Sequence, residues 1–404
     1  LYQFFSIRSR FSEGITWLQS TITSLAPLPP YDPVRVMLQS RIGSLALRAR
    51  NNELADEMLS SSFEIFSILG HQEELAFCLI GLGGYHLRKK NYTQAQHCAQ
   101  QSLAAYQGLN DEKGQSYALY LIGLILSRIG NYSEAKAALR QALSFSRRVG
   151  DQRRLIAPLN VLGDIACTEG AFDEAEELFL EGLEISRALN DRFNQAILLN
   201  NLATIYQVRR QYAKEEAMLR ESLEICRDIG DFDGEAVALN NLGEMAVVLG
   251  QFHEAIEFSR EALKIARRLE EEWTIIICLN NLGEAYFGLK EYAQAKDYFV
   301  PAIQRSHKIE AWDMLARVIV NAAPIYHFNG ETQLAVDLFK AAMAHPAIEF
   351  QFRQKASSWL EEMGVEPTEA NDDQLLGELV SQVYMGDQEV SIETRSKAEE
   401  ELSE

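Results

Sequence analysis

Two kinds of side chain recur in this sequence at a spacing that could do chemistry. Asn160, Asn200, Asn240 and Asn280 stand 40 residues apart, and so do Asn201, Asn241, Asn281 and Asn321. Arg48, Arg88 and Arg128 keep the same step. An asparagine side chain offers one carbonyl acceptor and one amide donor, so a row of them can grip the backbone of an extended peptide without reading its side chains. Arginines in a row can take carboxylates or phosphates in two-pronged hydrogen bonds. Each row also has a structural reading: asparagines that bond to the next repeat and fix the stacking angle, arginines that end solvated helices. The residues alone leave both open.

Covalent and metal chemistry find no such foothold. His71, His86, His97, His253, His307, His327 and His345 show no ligand spacing, and His253-Glu254 lacks the second histidine of a zinc helix. Gly81-Leu82-Gly83-Gly84 falls inside a repeated helix rather than in a phosphate loop, and no Gly-x-x-x-x-Gly-Lys-Ser/Thr motif occurs. Acidic runs such as Glu176-Glu177 and Glu270-Glu271-Glu272 read as solvated surface. We expect no enzyme, cofactor or metal in this chain.

The rows are held by a repeat. Gly43, Gly83, Gly123, Gly163, Ala203, Gly243, Gly283 and Ala323 share one register. Twelve residues after each come Ala55, Ala95, Ala135, Ala175, then Glu215, then Ala255, Ala295 and Ala335. Eight copies at a strict period predict a stacked array, because one unit cannot bury its apolar face alone. In the unit 155–194, Leu159, Leu162 and Ala166 mark a first helix over 155–169, and Ala175, Leu178, Phe179 and Leu183 a second over 174–189. Gly150-Asp151, Asn190-Asp191 and Gly230-Asp231 close successive units, with Gly or Asn suited to a left-handed cap. A small residue in the first helix and an alanine in the second would let the two backbones approach closely.

Numbered from the register residue, positions −3 and +1 share a helical stripe. It reads Asn160/Asp164, Asn200/Thr204, Asn240/Glu244 and Asn280/Glu284. Positions −2 and +5 form a second stripe, with Asn201, Asn241, Asn281 and Asn321 late in the chain and the three arginines early. Tyr120, Gln207, Phe287 and His327 fall on the same face and could supply side-chain pockets. The arginines with Asp164, Glu244 and Glu284 would make a groove basic at its N-terminal end and acidic further along, orienting a charged ligand.

Composition bounds the rest. At 47% apolar residues there is ample material for a continuous core, and no apolar run approaches a membrane span. Net charge is −20, half of it from residues 365–404, where twelve acids face two bases. An acidic chain gains nothing from counterion release, so nucleic acid is not expected as a direct ligand. Five cysteines, Cys78, Cys98, Cys167, Cys226 and Cys278, lie scattered without a Cys-x-x-Cys pair and read as reduced thiols of a cytoplasmic protein. The glycosylation-type matches at Asn91 and Asn131 are then coincidental. The chain opens on Leu1 without a charged-then-apolar leader and reads as a piece of something longer.

The small register residue, a tyrosine three residues on (Tyr206, Tyr286, Tyr326), the alanine at +12 and a bulky residue at +16 (Phe179, Phe299, Phe339) resemble the tetratricopeptide repeat over about 35–355. The unit is 40 residues, where the usual length is 34. The long form is similar to the repeats of kinesin light chains and of the C-terminal sensors of STAND-type signalling ATPases. HEAT and armadillo arrays have a similar period, but their characteristic first-helix proline is not seen. The opening stretch 4–18 (FFSIRSRFSEGITWL) looks like the junction of bacterial STAND proteins, where ATPase and winged-helix modules lead into the repeats. Such proteins resemble transcription activators and antiviral ATPases. In the related repeats an asparagine at −2 contacts peptide backbone or a terminal carboxylate, and Asn201, Asn241, Asn281 and Asn321 match it. The lysines and second asparagine of the full carboxylate clamp are not all present.

The expectation is an all-α, right-handed α-solenoid of about eight helical hairpins over 35–355. A partial hairpin at 1–34 would precede it, with capping helices at 356–386 and a disordered acidic tail at 387–404. It would be a monomeric, cytoplasmic sensor that binds a peptide or protein in its concave groove, away from any membrane, and answers to the ATPase and winged-helix modules of its own parent chain. The alternative is a constitutive scaffold that recognises a short linear motif.

Overall fold

The computed structural model describes residues 11–366 apart from 26 and 347, and these form eighteen α-helices and no strand. The opening residues 4–10, the segment 373–384 expected to supply a further capping helix, and the acidic stretch beyond Gly386 lie outside the described residues. Helix α1 (Phe11–Ser24) comes first. Hairpins follow: α2 (Pro33–Arg48) with α3 (Asn52–Leu69), α4 (Gln72–Arg88) with α5 (Tyr92–Gly108), and α6 (Glu112–Arg128) with α7 (Tyr132–Val149). Next are α8 (Arg153–Thr168) with α9 (Phe172–Ala188), α10 (Arg192–Val208) with α11 (Tyr212–Ile229), and α12 (Phe232–Val248) with α13 (Phe252–Leu269). The last are α14 (Glu272–Gly288) with α15 (Tyr292–Lys308), α16 (Trp312–Phe328) with α17 (Thr332–Ala344), and the single helix α18 (Phe350–Glu362).

The helix ends follow from local chemistry. Gly150, Asn190 and Gly230 take positive φ (76°, 51° and 70°) just past a helix, where a left-handed residue satisfies the last carbonyls. Asp191 and Asp231 then start the next helix: the Asn194 N–H donates to Asp191 Oδ1 (3.3 Å) and the Gly234 N–H to Asp231 Oδ1 (3.2 Å). At these two joints one dipeptide both stops a helix and begins its successor, whereas after Gly150 the next helix starts from Gln152, one residue beyond Asp151.

The register residues are small because side chains of neighbouring helices fill the space beside them: Leu59 at Gly43, Leu139 at Gly123, and rings at Gly163 and Gly283. A Cβ built on Gly163 would lie 2.3 Å from the Phe179 ring, and one on Gly283 would lie 2.7 Å from the Phe299 ring. Phe179, Phe299 and Phe339 are all buried, as are Leu159, Leu162, Ala175 and Leu183. Each such ring contributes about 1.5–3 kcal/mol by leaving water. Pro158 and Pro324 do lie inside first helices, but at different register positions, so neither is a repeated feature.

The chain divides into two compact units, residues 1–218 and 219–404, with the division inside α11. In each unit a first helix packs on its own second helix, and that second helix packs on the next first helix. Successive first helices also touch one another: α2, α4, α6, α8 and α10 in unit 1, and α12, α14, α16 and α18 in unit 2. Neighbouring second helices show no comparable packing among the described residues. The first helices are therefore the inner layer of each unit. At the edge of unit 1, α1 sets Leu18 against Ile42 and Leu45. In unit 2, α18 starts before the position 356 expected for a cap and keeps the repeat register, burying Ala356 and Leu360 one step on from Ala316 and Val320.

Candidate ligand face of the first helices

The asparagines of unit 2 face the joints between first helices. Asn281 Nδ2 of α14 donates to Asn240 Oδ1 of α12 at 3.0 Å, and Asn321 Nδ2 of α16 donates to Asn280 Oδ1 of α14 at 2.9 Å. Position −2 of one helix thus donates to position −3 of the helix before. Asn280 and Asn281 are 0% exposed, Asn321 3% and Asn240 6%. Of the two readings the sequence leaves open for these four, ligand grip and stacking, the contacts are those of stacking, a correction to their placement on a ligand face: they are closed off and bonded between neighbouring first helices. Burial makes such bonds specific, because an unpaired amide there would be costly.

The acids of unit 2 are also taken. Glu244 Oε1 accepts from Arg317 Nη2 at 3.0 Å, and Glu284 Oε1 accepts from Lys355 Nζ at 3.0 Å. Lys355 Nζ also donates to Asn321 Oδ1 at 2.7 Å, and Asn280 Nδ2 donates to the other oxygen of Glu284 at 2.9 Å. Each ion pair joins a first helix to the first helix two hairpins on. The expected groove with an acidic far end is corrected here: Glu244 and Glu284 are neutralised by partners from the same face. Phe287 packs in an aromatic cluster with Tyr292, Phe328 and Trp359, at centroid distances of 5.5, 6.0 and 6.4 Å. His327 Nδ1 lies 3.1 Å from Thr332 Oγ1 at the start of α17. Asn241 is half-buried.

Unit 1 carries one rung of the same ladder, and it is open. Asn201 Nδ2 donates to Asn160 Oδ1 at 2.9 Å and to Asp164 Oδ1 at 3.1 Å. Asn160 and Asn201 are half-buried and Asp164 is exposed, whereas Asn200 is buried and turned onto the Ala196 carbonyl (3.4 Å). Gln207 is half-buried. Arg48, Arg88 and Arg128 are exposed at the C-terminal ends of α2, α4 and α6. The Arg48 guanidinium lies 4.8 Å above the Phe11 ring.

Tyr120 sits among them. Burial pushes its hydroxyl up to about 12, with Tyr117 adding to the rise and Arg48 and Arg128 opposing it. The fields of Arg48 and Arg128 therefore meet at Tyr120, two hairpins from the first of them. Asp164 also acts on Tyr120, and its own carboxyl is raised to about 6 by burial against a smaller pull from Arg128. Unit 1 thus gathers Arg48, Arg128, Tyr120, Asp164, Asn160 and Asn201 on one face.

Tyr117, Arg317 and Lys355 were not among the residues picked from the sequence. Tyr117 and Arg317 occupy position −6, one helical turn before −3 on the same stripe. Extending that stripe by a turn would have found both.

Asp164 carries a stability prediction. A native carboxyl raised above its ordinary 3.8 binds protons that the unfolded chain releases, so its charge costs stability above about pH 6 and costs nothing below about pH 4. Asp164→Asn keeps an acceptor for Asn201 and removes the charge. It should stabilise unit 1 at pH 7 by at most about 1 kcal/mol, since the group is exposed and screened. The gain should vanish in urea titrations at low pH; a gain independent of pH would rule out this cause.

Hairpins of this length, with small register residues and first helices inside, define a class. A tetratricopeptide repeat model matches residues 79–148, 114–188, 153–228, 194–268 and 234–305, more than half of the chain. The chain belongs to the tetratricopeptide repeat family. No curated protein sequence matches it. Among solved structures, it is similar to a STAND protein with a tetratricopeptide repeat sensor from Pyrococcus horikoshii, at 13% identity and a TM-score of 0.56. That match covers 89% of this chain and 54% of the other, so the chain spans about half the length of that relative. It is also similar to NprR in complex with its cognate peptide NprX (18% identity, TM-score 0.52, 78% of this chain and 89% of that one). A third is a Rap protein complexed with competence and sporulation factor (15% identity, TM-score 0.52, 80% and 99%). At these identities the likeness is one of fold.

Among the described residues, no group of three His, Cys, Asp or Glu side chains could hold a metal ion. No described helix is long and apolar enough to cross a membrane.

Proposed function

We propose that the chain is the ligand-sensing part of a STAND-type signalling ATPase, and that its ligand is a peptide or protein segment held on the first helices. The observation that carries this is the contrast between the inner faces. In unit 2 Asn240, Asn280, Asn281 and Asn321 are buried in the stack and the acids are ion-paired, whereas in unit 1 Arg128 and Asp164 are exposed and Tyr120, Asn160 and Asn201 half-buried, with Asn201 bonded to Asn160 and Asp164 at the surface. Support comes from the STAND relative, whose repeat sensor has the same fold, and from NprR, where that fold accompanies a peptide. Occupancy of the face would relieve autoinhibition of the parent protein. A ligand does so only by binding the open state better than the closed one, by about 5.5 kcal/mol for a full switch.

The test uses the full reading frame that contains this chain. Ligand captured from lysate by the chain, and lost on Tyr120→Ala with Asp164→Ala, should raise ATP hydrolysis by the full-length protein. A reading frame without a P-loop ATPase, or a hydrolysis rate indifferent to the captured ligand, would instead make the chain a constitutive scaffold.

A further inference from the structure

The turns that follow α2, α4 and α6 are basic in an acidic chain. Arg48, Arg50, Arg88, Lys89, Lys90 and Arg128 are all exposed there, while the net charge of the whole is −20. A positive charge at a helix C-terminus favours any helix, but α12, α14 and α16 end instead on Val248, Gly288 and Phe328. Second helices such as α7, α13 and α15 do carry basic residues in their last turn, but among first helices a last-turn arginine is confined to α2, α4 and α6. Beside it on α6 run Tyr117, which is 41% exposed, Tyr120 and Leu124, one turn apart on a single stripe. Arg48 is steadied over Phe11, which orients its guanidinium before any ligand arrives.

We propose that the inner face of unit 1 binds an acidic, extended peptide segment whose carboxylates fall at about every third residue, one to each of Arg48, Arg88 and Arg128. This rests on the ligand-sensing reading above and deepens it. The spacing follows from geometry: packed helices lie about 8–10 Å apart, and a peptide in the extended polyproline-II form rises about 3.1 Å per residue with three residues per turn, so every third side chain faces the same way. Three residues of peptide therefore cross one first helix. Side chains between the acids meet Tyr117, Tyr120 and Leu124, which favours apolar residues there. Asp164, on the next first helix, ends the row by repelling a further acid. A polyphosphate chain, charged at every unit, would meet that repulsion and the net charge of the protein; a peptide can stop short of it.

The test is fluorescence anisotropy with the whole chain at low salt. One labelled peptide carries three glutamates at every third position in a Ser/Leu background, and an isomer carries the same three in a row. The spaced peptide should bind about tenfold more tightly, the sum of a few exposed charge contacts, and the difference should shrink as salt screens it. Arg48→Glu, Arg88→Glu and Arg128→Glu together, checked for unchanged helicity, should abolish the preference and favour the peptide with lysines in the same places. Equal binding of the two isomers, or binding unaffected by the triple substitution, would overturn the proposal. So would tighter binding of a single-stranded oligonucleotide. If the isomers are equal but the captured ligand still drives ATP hydrolysis, the carboxylate spacing fails and the sensor stands. If the spaced peptide binds through the arginines yet the full-length ATPase ignores its natural ligand, the sensor reading fails alone.

Discussion

Asn281→Asp should cost unit 2 about 3 kcal/mol or more at neutral pH. The side chain is 0% exposed, and its amide donates to Asn240 Oδ1 at 3.0 Å and to the Asn240 carbonyl at 3.4 Å. An aspartate of the same shape would turn an oxygen toward two acceptors, without water to soften the contact. Protonation is its one escape, because a neutral carboxyl can donate to Asn240 Oδ1 as the amide did. The native form of the variant would therefore hold a proton that the unfolded chain gives up. Its stability should fall as pH rises through the raised native value, and much of the loss should return near pH 4. Asn281→Ala removes the same bond without adding charge and should cost only about 1–2 kcal/mol, with little dependence on pH. Trp273, Trp312 and Trp359 all lie in unit 2 and report its unfolding in urea. Equal, pH-independent losses for the two variants would mean that water reaches the ladder.

Phe179→Ala should destabilise unit 1 by about 3–5 kcal/mol. The ring is 1% exposed and lies against Gly163, where even a methyl would come within 2.3 Å of it. Because the facing Gly163 has no side chain to swing into the space the ring vacates, the cost should fall toward the upper end. The converse change, Gly163→Val, overfills the same joint and should cost about 1–3 kcal/mol. Gly163→Ala combined with Phe179→Leu should cost less than the sum of the two single changes, since each relieves the strain or void left by the other. Urea denaturation followed by circular dichroism measures all of these. Strict additivity would show that the two positions do not share the joint.

The fold was readable because the register residue, the alanine twelve on and the ring at +16 repeat on one dimension, the chain itself. The stripes at −3, −2, +1 and +5 were readable for the same reason. What those stripes did not show is which of their residues reach solvent. Whether Asn281 meets a ligand or its neighbour depends on how closely α12 and α14 approach, a distance that no single helix encodes. Glu244 and Glu284 looked like open acids because their partners, Arg317 and Lys355, lie 73 and 71 residues further on. Those separations skip a whole hairpin, so a reading that compares one unit with the next passes over them. Tyr117 was missed for a simpler reason: the stripe was ended one turn early.

The ties that skip a hairpin have a mechanical consequence. Most contacts in each unit join neighbours, so a pull on the ends would peel an array of this kind away one hairpin at a time. Each release would lengthen the chain by roughly 140 Å, the reach of one unit fully extended. In unit 2, Arg317–Glu244 and Lys355–Glu284 cross that order like stitches through alternate folds. The final hairpins would then hold as a group and give way together.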